Sequence, residues 1–253
     1  MKTVAVEKAN IRQGSLILIN RKHPICEKLE PELVPVDSGY PEILLEQKAA
    51  AMYAQLIQSL QAGGQIVPVS GYRSLQEQEK IYAESMRENG EDFTRKFVAY
   101  PNHSEHQSGL AIDVGENRAE IDFIRPDFPY TGICQAFRQR AAQFGFIERY
   151  PKGKEAITGI AHEPWHFRYV GCPHAELMQR EQLTLEEYTE YLKDFPYGGK
   201  HLHFDAGRHT AEIYYVRESA LSSGTIPIPD DTPCEVSGNN VDGFVVTVWR
   251  SKK

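Results

Sequence analysis

The sequence predicts an α+β fold, with a helix-rich domain over residues 1–195 followed by a small β-rich module over residues 196–253. Two observations predict it. Up to residue 195, apolar residues at helical spacing alternate with short strand-like runs. After "PYGG" at 196–199, strand-like runs are separated by turns such as Asp242-Gly243. We therefore expect a small, mostly antiparallel sheet with helices packed around it, plus the C-terminal module.

The first elements follow from local patterns. "SLILI" at 15–19 is a short strand-like run, and a loop rich in proline follows it. Between residue 41 and about residue 60, leucine, alanine and methionine recur at helical spacing, and Gly63-Gly64 ends this helix. "QIVPVSGY" at 65–72 then predicts a short buried strand that ends in a turn.

Start and stop signals place the later helices. Ser74 and Glu77 form a capping box that opens a helix toward Gly90. "GLAIDV" at 109–114 is strand-like, the amphipathic run 133–145 predicts a third helix, and "FIERY" follows it as a strand. Thr184 and Glu187 predict another helix start. "KHLHF", "EIYYVRE" and "GFVVTVW" are the strand-like runs of the C-terminal module.

Composition and charge exclude several classes of protein. The 253 residues carry a formal net charge of −7 without a run of basic residues, so we expect no nucleic-acid partner. Charged residues interrupt the N-terminal stretch, which therefore resembles neither a secretory signal nor a membrane anchor. We expect a cytoplasmic protein, in which the four widely spaced cysteines are free thiols.

"HEPWH" at 162–166 has the spelling H-E-x-x-H of helical zinc sites. Pro164 stands in its middle, where proline costs a helix about 3 kcal/mol and drives the preceding residue away from helical geometry. In an extended chain His162 and His166 lie about 13 Å apart along the backbone, so they are not expected to share an ion. One of them can still be a ligand, with Glu163 beside it.

The remaining ligands are expected in "SEHQSGLAIDV" at 104–114. His106 lies in a turn that contains serine and glycine, and Asp113 lies within the strand that follows. A carboxylate on a half-buried strand requires a partner, and a metal ion is one such partner. Two histidines and one aspartate would leave a fourth position open for water, as a hydrolytic zinc site requires.

Three segments together resemble the D-alanyl-D-alanine carboxypeptidase/dipeptidase metallopeptidases. "SGYRSLQEQ" resembles their S-G-Y-R-S-x-x-x-Q motif, "SEHQSGLAIDV" their S-x-H-x-x-G-x-A-x-D motif, and "EPWHFRYVG" their E-x-W-H-x-R-Y-V-G motif. The motifs occur in the family's order over residues 65–172, and the similarity extends over most of residues 15–195. The absent signal peptide suggests the cytoplasmic VanXY-type bifunctional D,D-dipeptidases/D,D-carboxypeptidases of glycopeptide resistance.

The resemblance implies a metal site in a central cleft with one zinc ion per chain. It implies zinc ligands at His106, Asp113 and His166, Glu163 as general base and Arg73 as the cation that stabilises the oxyanion. It also implies that further residues line the substrate pocket, namely Ser104, Gln78, Tyr150 and Trp165. The implied substrate is a small peptide, either D-Ala-D-Ala or a peptidoglycan precursor pentapeptide.

Structural interpretations stand beside these roles. His106 and Asp113 can form a hydrogen-bonded structural pair, Glu163 a surface salt bridge, and Arg73 an ion pair with Glu77. Trp165 and Tyr150 are as consistent with a core as with a pocket. His162 and His174 are expected to be structural, and Cys172 with His174 is not expected to form a second zinc site.

Two other functions stay open. One is a peptidoglycan L,D-endopeptidase or carboxypeptidase on the same scaffold, and the other is a non-enzymatic, zinc-stabilised binding protein.

The sequence leaves undecided the balance between dipeptidase and carboxypeptidase activity, the tolerance of D-Ser or D-lactate termini, and whether the chain forms a homodimer. The C-terminal module can be an appendage, a self-association surface or a cover for the cleft. Residues 90–103 are a hypothetical lid.

Overall fold

The computed structural model describes residues 2–207, 209–221, 224–230 and 232–252, which form α-helices and small antiparallel sheets as expected for an α+β fold. The strands, numbered along the chain, are β1 (Lys2–Ala5), β2 (Leu33–Pro35), β3 (Leu44–Glu46), β4 (Ile66–Ser70), β5 (Ala111–Glu116), β6 (Phe146–Tyr150), β7 (Glu163–Tyr169), β8 (Leu202–Ala206), β9 (His209–Arg217), β10 (Thr225–Ile228), β11 (Cys234–Gly238) and β12 (Gly243–Ser251). The α-helices are α1 (Gln47–Leu60), α2 (Leu75–Asn89), α3 (Glu91–Phe97), α4 (Gly132–Ala141), α5 (Glu155–Thr158), α6 (His174–Glu181) and α7 (Leu185–Tyr191).

Contacts between Cα atoms divide the chain into two compact units. One unit is residues 19–184, and the other combines the residues up to 18 with those from 185 onward. The predicted limits, 1–195 and 196–253, follow composition, whereas the contacts also follow strand pairing. Because β1 pairs with β10, the N-terminal residues group with the C-terminal strands.

A four-stranded antiparallel sheet organises the unit 19–184, with the strand order β4-β5-β7-β6. Its two central strands have distinct faces. Ile112 pairs with Phe167, and the Phe167 ring packs 4.8 Å from that of Phe137 on α4. The next pair, Asp113 and His166, points to the other face. Helix packing therefore covers one face, and polar side chains gather on the other.

The helix starts agree with their capping signals. Ser74 caps α2 in a complete capping box with Glu77, and Gly90 follows the last residue of the helix. Gly145, in a left-handed conformation, ends the short 3-10 turn that follows α4. The helix predicted after Thr184 is α7.

Two predicted elements differ from the structure. The helix predicted from residue 41 begins only at Gln47, because β3 pairs with β2 and the Glu46 side chain accepts hydrogen bonds from the first turn of α1. The segment predicted as a strand at 15–19 is buried at residues 16–19 but is not a strand. Its amide groups bond elsewhere: Leu16 donates to Ser237 Oγ and Leu18 to the carbonyl of Asn239.

The other unit contains the four-stranded antiparallel sheet β11-β12-β9-β8 and the strand pair β1-β10. The strand-like runs predicted for the C-terminal module correspond to β8, β9 and β12. A core of buried aliphatic and aromatic side chains stabilises this unit, and it includes Tyr214, Ile226, Phe244 and Val246. Among the described residues, no helix has the length and apolarity that crossing a membrane would require.

Candidate active site

Three elements bring the three predicted ligands together. Asp113 on β5 and His166 on β7 are direct cross-strand partners, which places their side chains next to each other on one face. His106 comes from the 3-10 turn Glu105–Ser108, immediately before β5. All three are buried, and each offers a ligand atom within 4.8 Å of the others. This is the one such group found among the residues that the structure describes.

Asp113 is the centre of this group. Its Oδ1 lies 2.9 Å from His166 Nδ1, and its Oδ2 lies 3.2 Å from His106 Nε2. The two imidazole rings are nearly perpendicular, with centroids 5.0 Å apart. Burial raises the pKa of Asp113, but its interactions with the two neighbouring imidazoles outweigh burial and hold it well below its usual range. The carboxylate is therefore ionised.

The orientation of His106 fits a metal site. Its Nδ1 lies 2.7 Å from the carbonyl oxygen of Gly71, which can only accept, so Nδ1 carries the hydrogen. Burial, followed by the charge of Arg73, lowers the pKa of His106 to about 4, and the ring is neutral near pH 7. The lone pair of Nε2 then faces a carboxylate oxygen of Asp113. Two acceptors in this arrangement repel each other unless a cation lies between them, so the donor set fits a metal ion.

His166 carries a proton that a metal would replace. Burial lowers its pKa, but the neighbouring carboxylates of Asp113 and Glu105 outweigh burial and raise it to about 9. Both ring nitrogens then bear hydrogen near neutral pH. Metal ligation requires the neutral ring, so occupation of the site releases this proton.

Glu163, the predicted base, lies beside this group at the start of β7. Its Oε2 is 3.9 Å from His166 Nδ1 and its side chain is buried, which excludes a surface salt bridge. Burial raises its pKa to about 8. The strand is irregular here, because Glu148 pairs with Phe167 and Tyr150 with Glu163, which leaves extra residues on β7. This irregularity contains Pro164 and turns Glu163 toward the site.

Arg73 is held against the ligands and not against Glu77. Its Nη2 donates to Asp113 Oδ2 at 2.9 Å and its Nε donates to Ser70 Oγ at 2.9 Å. The Glu77 carboxylate instead accepts from the Ser74 amide at the start of α2. Burial lowers the pKa of Arg73, and the charges of Asp113 and Glu163 oppose this.

A cleft lies over these residues. Eight of the nine residues predicted for the site line it, and these include Ser104, Tyr150 and Trp165. The Tyr150 ring lies 4.9 Å from that of His166. Apolar side chains, among them Phe97 and Phe123, also line the cleft.

Gln78 is the predicted residue that does not line the cleft. Its side chain is fully buried on α2, and its Nε2 donates to the carbonyl of Ala99 at 2.8 Å. Ala99 does line the cleft. Gln78 therefore contacts the backbone of the wall, because α2 directs this position toward the segment that follows α3.

Sequence reasoning missed a buried ion cluster behind the site, formed by Glu105, Arg149 and Arg168. Their charged side chains have 0% exposure. Burial raises the pKa of Glu105, but the two guanidinium groups outweigh burial and hold it well below its usual range. The available signal was the position of Glu105 next to His106, together with arginines inside two strand-like runs.

The residues expected to be structural lie outside the metal group. His162 Nε2 lies 2.7 Å from the hydroxyl of Tyr130 and 3.5 Å from Glu148 Oε1. His174 is buried at the start of α6, and burial lowers its pKa to about 3. The four cysteines are free thiols, as predicted.

Comparison with known proteins gives consistent matches. The sequence profile of the VanY family, described as D-alanyl-D-alanine carboxypeptidase, matches residues 42–172. The chain is 42% identical over 181 residues to the bifunctional D-Ala-D-Ala dipeptidase and carboxypeptidase VanXYC of Enterococcus gallinarum, covering 71% of this chain and 95% of that protein.

Solved structures match as well. The vancomycin resistance D,D-dipeptidase VanXYg, crystallised with a D-Ala-D-Ala phosphinate analogue, has 50% identity and a TM-score of 0.94, covering 98% of this chain and 99% of that one. A mutant of the D,D-pentapeptidase VanY from a VanB-type resistance cassette, in complex with Zn(II), has 31% identity and a TM-score of 0.57. That match covers 69% of this chain and 98% of the other.

Proposed function

Because the chain belongs to the VanY family of D-alanyl-D-alanine carboxypeptidases, we propose that it is a zinc-dependent D,D-peptidase. Its substrates are the dipeptide D-Ala-D-Ala and peptidoglycan precursors that end in D-Ala-D-Ala, and its activity contributes to glycopeptide (vancomycin) resistance. One observation carries the proposal: three buried ligand residues converge within 4.8 Å at a cleft that also contains a buried carboxylate and an arginine.

His106, Asp113 and His166 would hold the ion through two nitrogens and one oxygen, which is a typical set for catalytic zinc. Zinc in such a site makes a water molecule available as a nucleophile near neutral pH and polarises the scissile carbonyl. The remaining chemistry belongs to the side chains around the ion. One zinc ion per chain is expected, since the described residues contain one group of this kind.

Glu163 moves the proton. Its carboxylate accepts a proton from the attacking water at Oε2 and donates it to the leaving amine nitrogen of D-Ala. Its burial favours this role, because the raised pKa makes its ionised form a stronger proton acceptor than the carboxylate of an exposed glutamate. The pairing of Glu163 with Tyr150 fixes its position on β7 and keeps Oε2 on the same side of the sheet as the ligands.

Arg73 stabilises the developing negative charge. Its guanidinium plane is fixed by bonds to Ser70 and Asp113, and its permanent charge faces the cleft. A carbonyl oxygen that becomes an oxyanion there gains charge-assisted hydrogen bonds at no further reorganisation cost.

The remaining pocket residues select a small substrate with a free carboxylate. The Ser104 hydroxyl can donate to that carboxylate, while Tyr150 and Trp165 limit the space available to a methyl side chain. Gln78 acts on the pocket through its hydrogen bond to Ala99.

The test is metal analysis combined with release of D-alanine. We expect the purified protein to bind one zinc ion per chain and to release D-alanine from D-Ala-D-Ala and from a pentapeptide ending in D-Ala-D-Ala. Removal of zinc with a chelator should abolish the release, and added zinc should restore it. Cleavage of L,D-linked peptides alone would favour the L,D-peptidase instead, and zinc binding without hydrolysis of either class would favour a binding protein.

The variant Glu163→Ala should keep zinc and lose hydrolysis by a factor of about 10² to 10⁴, because only proton transfer is removed. Glu116→Gln is a matched control, since Glu116 lies on the same sheet but pairs with Arg118 at the surface. Full activity in Glu163→Ala would exclude this residue as the base. The cytoplasmic location and the homodimer stay predictions, which cell fractionation and light scattering can test.

A further inference from the structure

The ion cluster of Glu105, Arg149 and Arg168 lies against the ring nitrogen of His166 that points away from Asp113. Arg149 Nε donates to Glu105 Oε1 at 2.8 Å, and Arg168 Nη1 donates to the same oxygen at 2.9 Å. Arg149 comes from β6 and Arg168 from β7, two residues after His166 and on the same face of the strand. The cluster thus fixes Glu105 to the strand that carries His166.

Stability alone does not account for this cluster. The desolvation cost of buried ion pairs often equals or exceeds their attraction, and apolar residues of similar volume are often as good. Here two guanidinium groups donate to the same oxygen of one carboxylate. The role of the cluster is therefore sought in what the Glu105 carboxylate contacts.

The second oxygen of Glu105 faces the imidazole. Glu105 Oε2 and His166 Nε2 are both buried, and neither forms a hydrogen bond within the usual limits. The two atoms lie 3.5 Å apart, opposite each other. A movement of about 0.6 Å would give an ordinary hydrogen bond, which is the common arrangement for buried polar atoms.

An ionised carboxylate can only accept, so a bond between these atoms places the hydrogen on His166 Nε2. In the neutral ring, Nδ1 then bears the lone pair, and Nδ1 is the atom 2.9 Å from Asp113. We infer that Glu105, held by Arg149 and Arg168, is a positioning residue that fixes the tautomer and orientation of His166, so that Nδ1 binds the metal. This inference rests on the proposed function, because it assigns the ligand atom of a zinc site.

Nuclear magnetic resonance of the unaltered, zinc-loaded protein tests the inference directly. With ¹⁵N-labelled histidine, the coupling pattern of His166 should show hydrogen on Nε2 and metal on Nδ1. The Nε2 hydrogen should exchange slowly because it is buried. Coordination through Nε2, or hydrogen on Nδ1, would overturn the inference.

The variant Glu105→Asp tests whether the length of the Glu105 side chain matters, because aspartate keeps the negative charge that faces the two arginines. The shorter side chain moves the carboxylate away from His166, and we expect zinc affinity to fall by about 10- to 100-fold in a chelator competition. We also expect the exchange of the Nε2 hydrogen to become faster. Glu148→Asp is the matched control, because Glu148 pairs with Arg138 on the same sheet without contacting a ligand, and its zinc affinity should not change.

The outcomes separate the two proposals. Unchanged zinc affinity and exchange in folded Glu105→Asp would overturn the positioning role and leave the zinc peptidase standing. Failure of the unaltered protein to bind zinc would overturn the proposed function and this inference with it. If Glu105→Asp does not fold, the histidine spectrum of the unaltered protein decides.

Discussion

At the scale of single residues, Asp113 contacts three partners in the site. One oxygen faces His166, and the other faces both His106 and the guanidinium of Arg73. His106 and Arg73 contact the same oxygen of Asp113, so the position of Arg73 depends on the proposed metal ligands. In the sequence, Arg73 and Asp113 belong to separate motifs, and the contact between them exists only in the folded chain.

Replacement of Arg73 by lysine should reduce kcat/KM for D-Ala-D-Ala by about 10²- to 10³-fold while zinc content stays the same. Lysine keeps the charge but cannot bond Ser70 and Asp113 with one rigid planar group. Steady-state kinetics with metal analysis measures both quantities. Arg118→Lys, at an exposed ion pair, should have no effect. Unchanged kinetics in Arg73→Lys would remove Arg73 from the mechanism.

At the scale of elements, β7 supplies both a ligand and the proposed base. A regular strand alternates its side chains, so Glu163 and His166, three residues apart, would point to opposite faces. The irregular pairing with β6 around Pro164 removes this conflict. The sequence predicted correctly that Pro164 excludes a helix, but it gave no register, and the register decides where Glu163 points.

The start of α6 carries an acid-sensitive group. Burial lowers the pKa of His174 to about 3, whereas the unfolded chain has a value near 6.5. Protonation therefore favours the unfolded state, and stability is lost as pH falls below about 6.5, by roughly 1 kcal/mol per unit. Above about pH 6.5, His174 is neutral in both the folded and the unfolded chain and does not change the free energy of unfolding.

The variant His174→Gln should lose less stability than the unaltered protein between pH 6.5 and pH 4.5, because glutamine does not titrate. Urea unfolding of metal-free protein at each pH measures the difference, and other titrating groups cancel because both proteins share them. Parallel loss of stability in the two proteins would show that His174 is not the sensitive group.

At the scale of the whole molecule, every residue proposed for the site lies within the unit 19–184. The family profile also falls within it, and VanXYC matches this chain over 181 residues that cover 95% of its length. The site therefore draws its residues from a single contact unit with its own sheet and core.

A fragment of residues 19–184 should bind one zinc ion and release D-alanine from D-Ala-D-Ala. Its circular dichroism, zinc content and turnover can be compared with those of the full chain, with Glu163→Ala in the fragment as the inactive control. A folded fragment that binds zinc but has no activity would show that residues outside this unit are needed for turnover. An unfolded fragment would show that its own core does not suffice.

The sequence by itself determined the fold class, the starts of α2, α4 and α7 and the identity of the residues proposed as ligands and base. These features depend on local chemistry: capping boxes act within one turn, Pro164 excludes a helix, and the ligand types lie within short motifs. Tertiary structure decided what depends on distant segments. Strand pairing brought Asp113 beside His166 and placed residues 2–5 with β10. Packing buried Gln78 against Ala99 and set Glu105 behind His166, because contacts between segments far apart in sequence are fixed only when the chain folds.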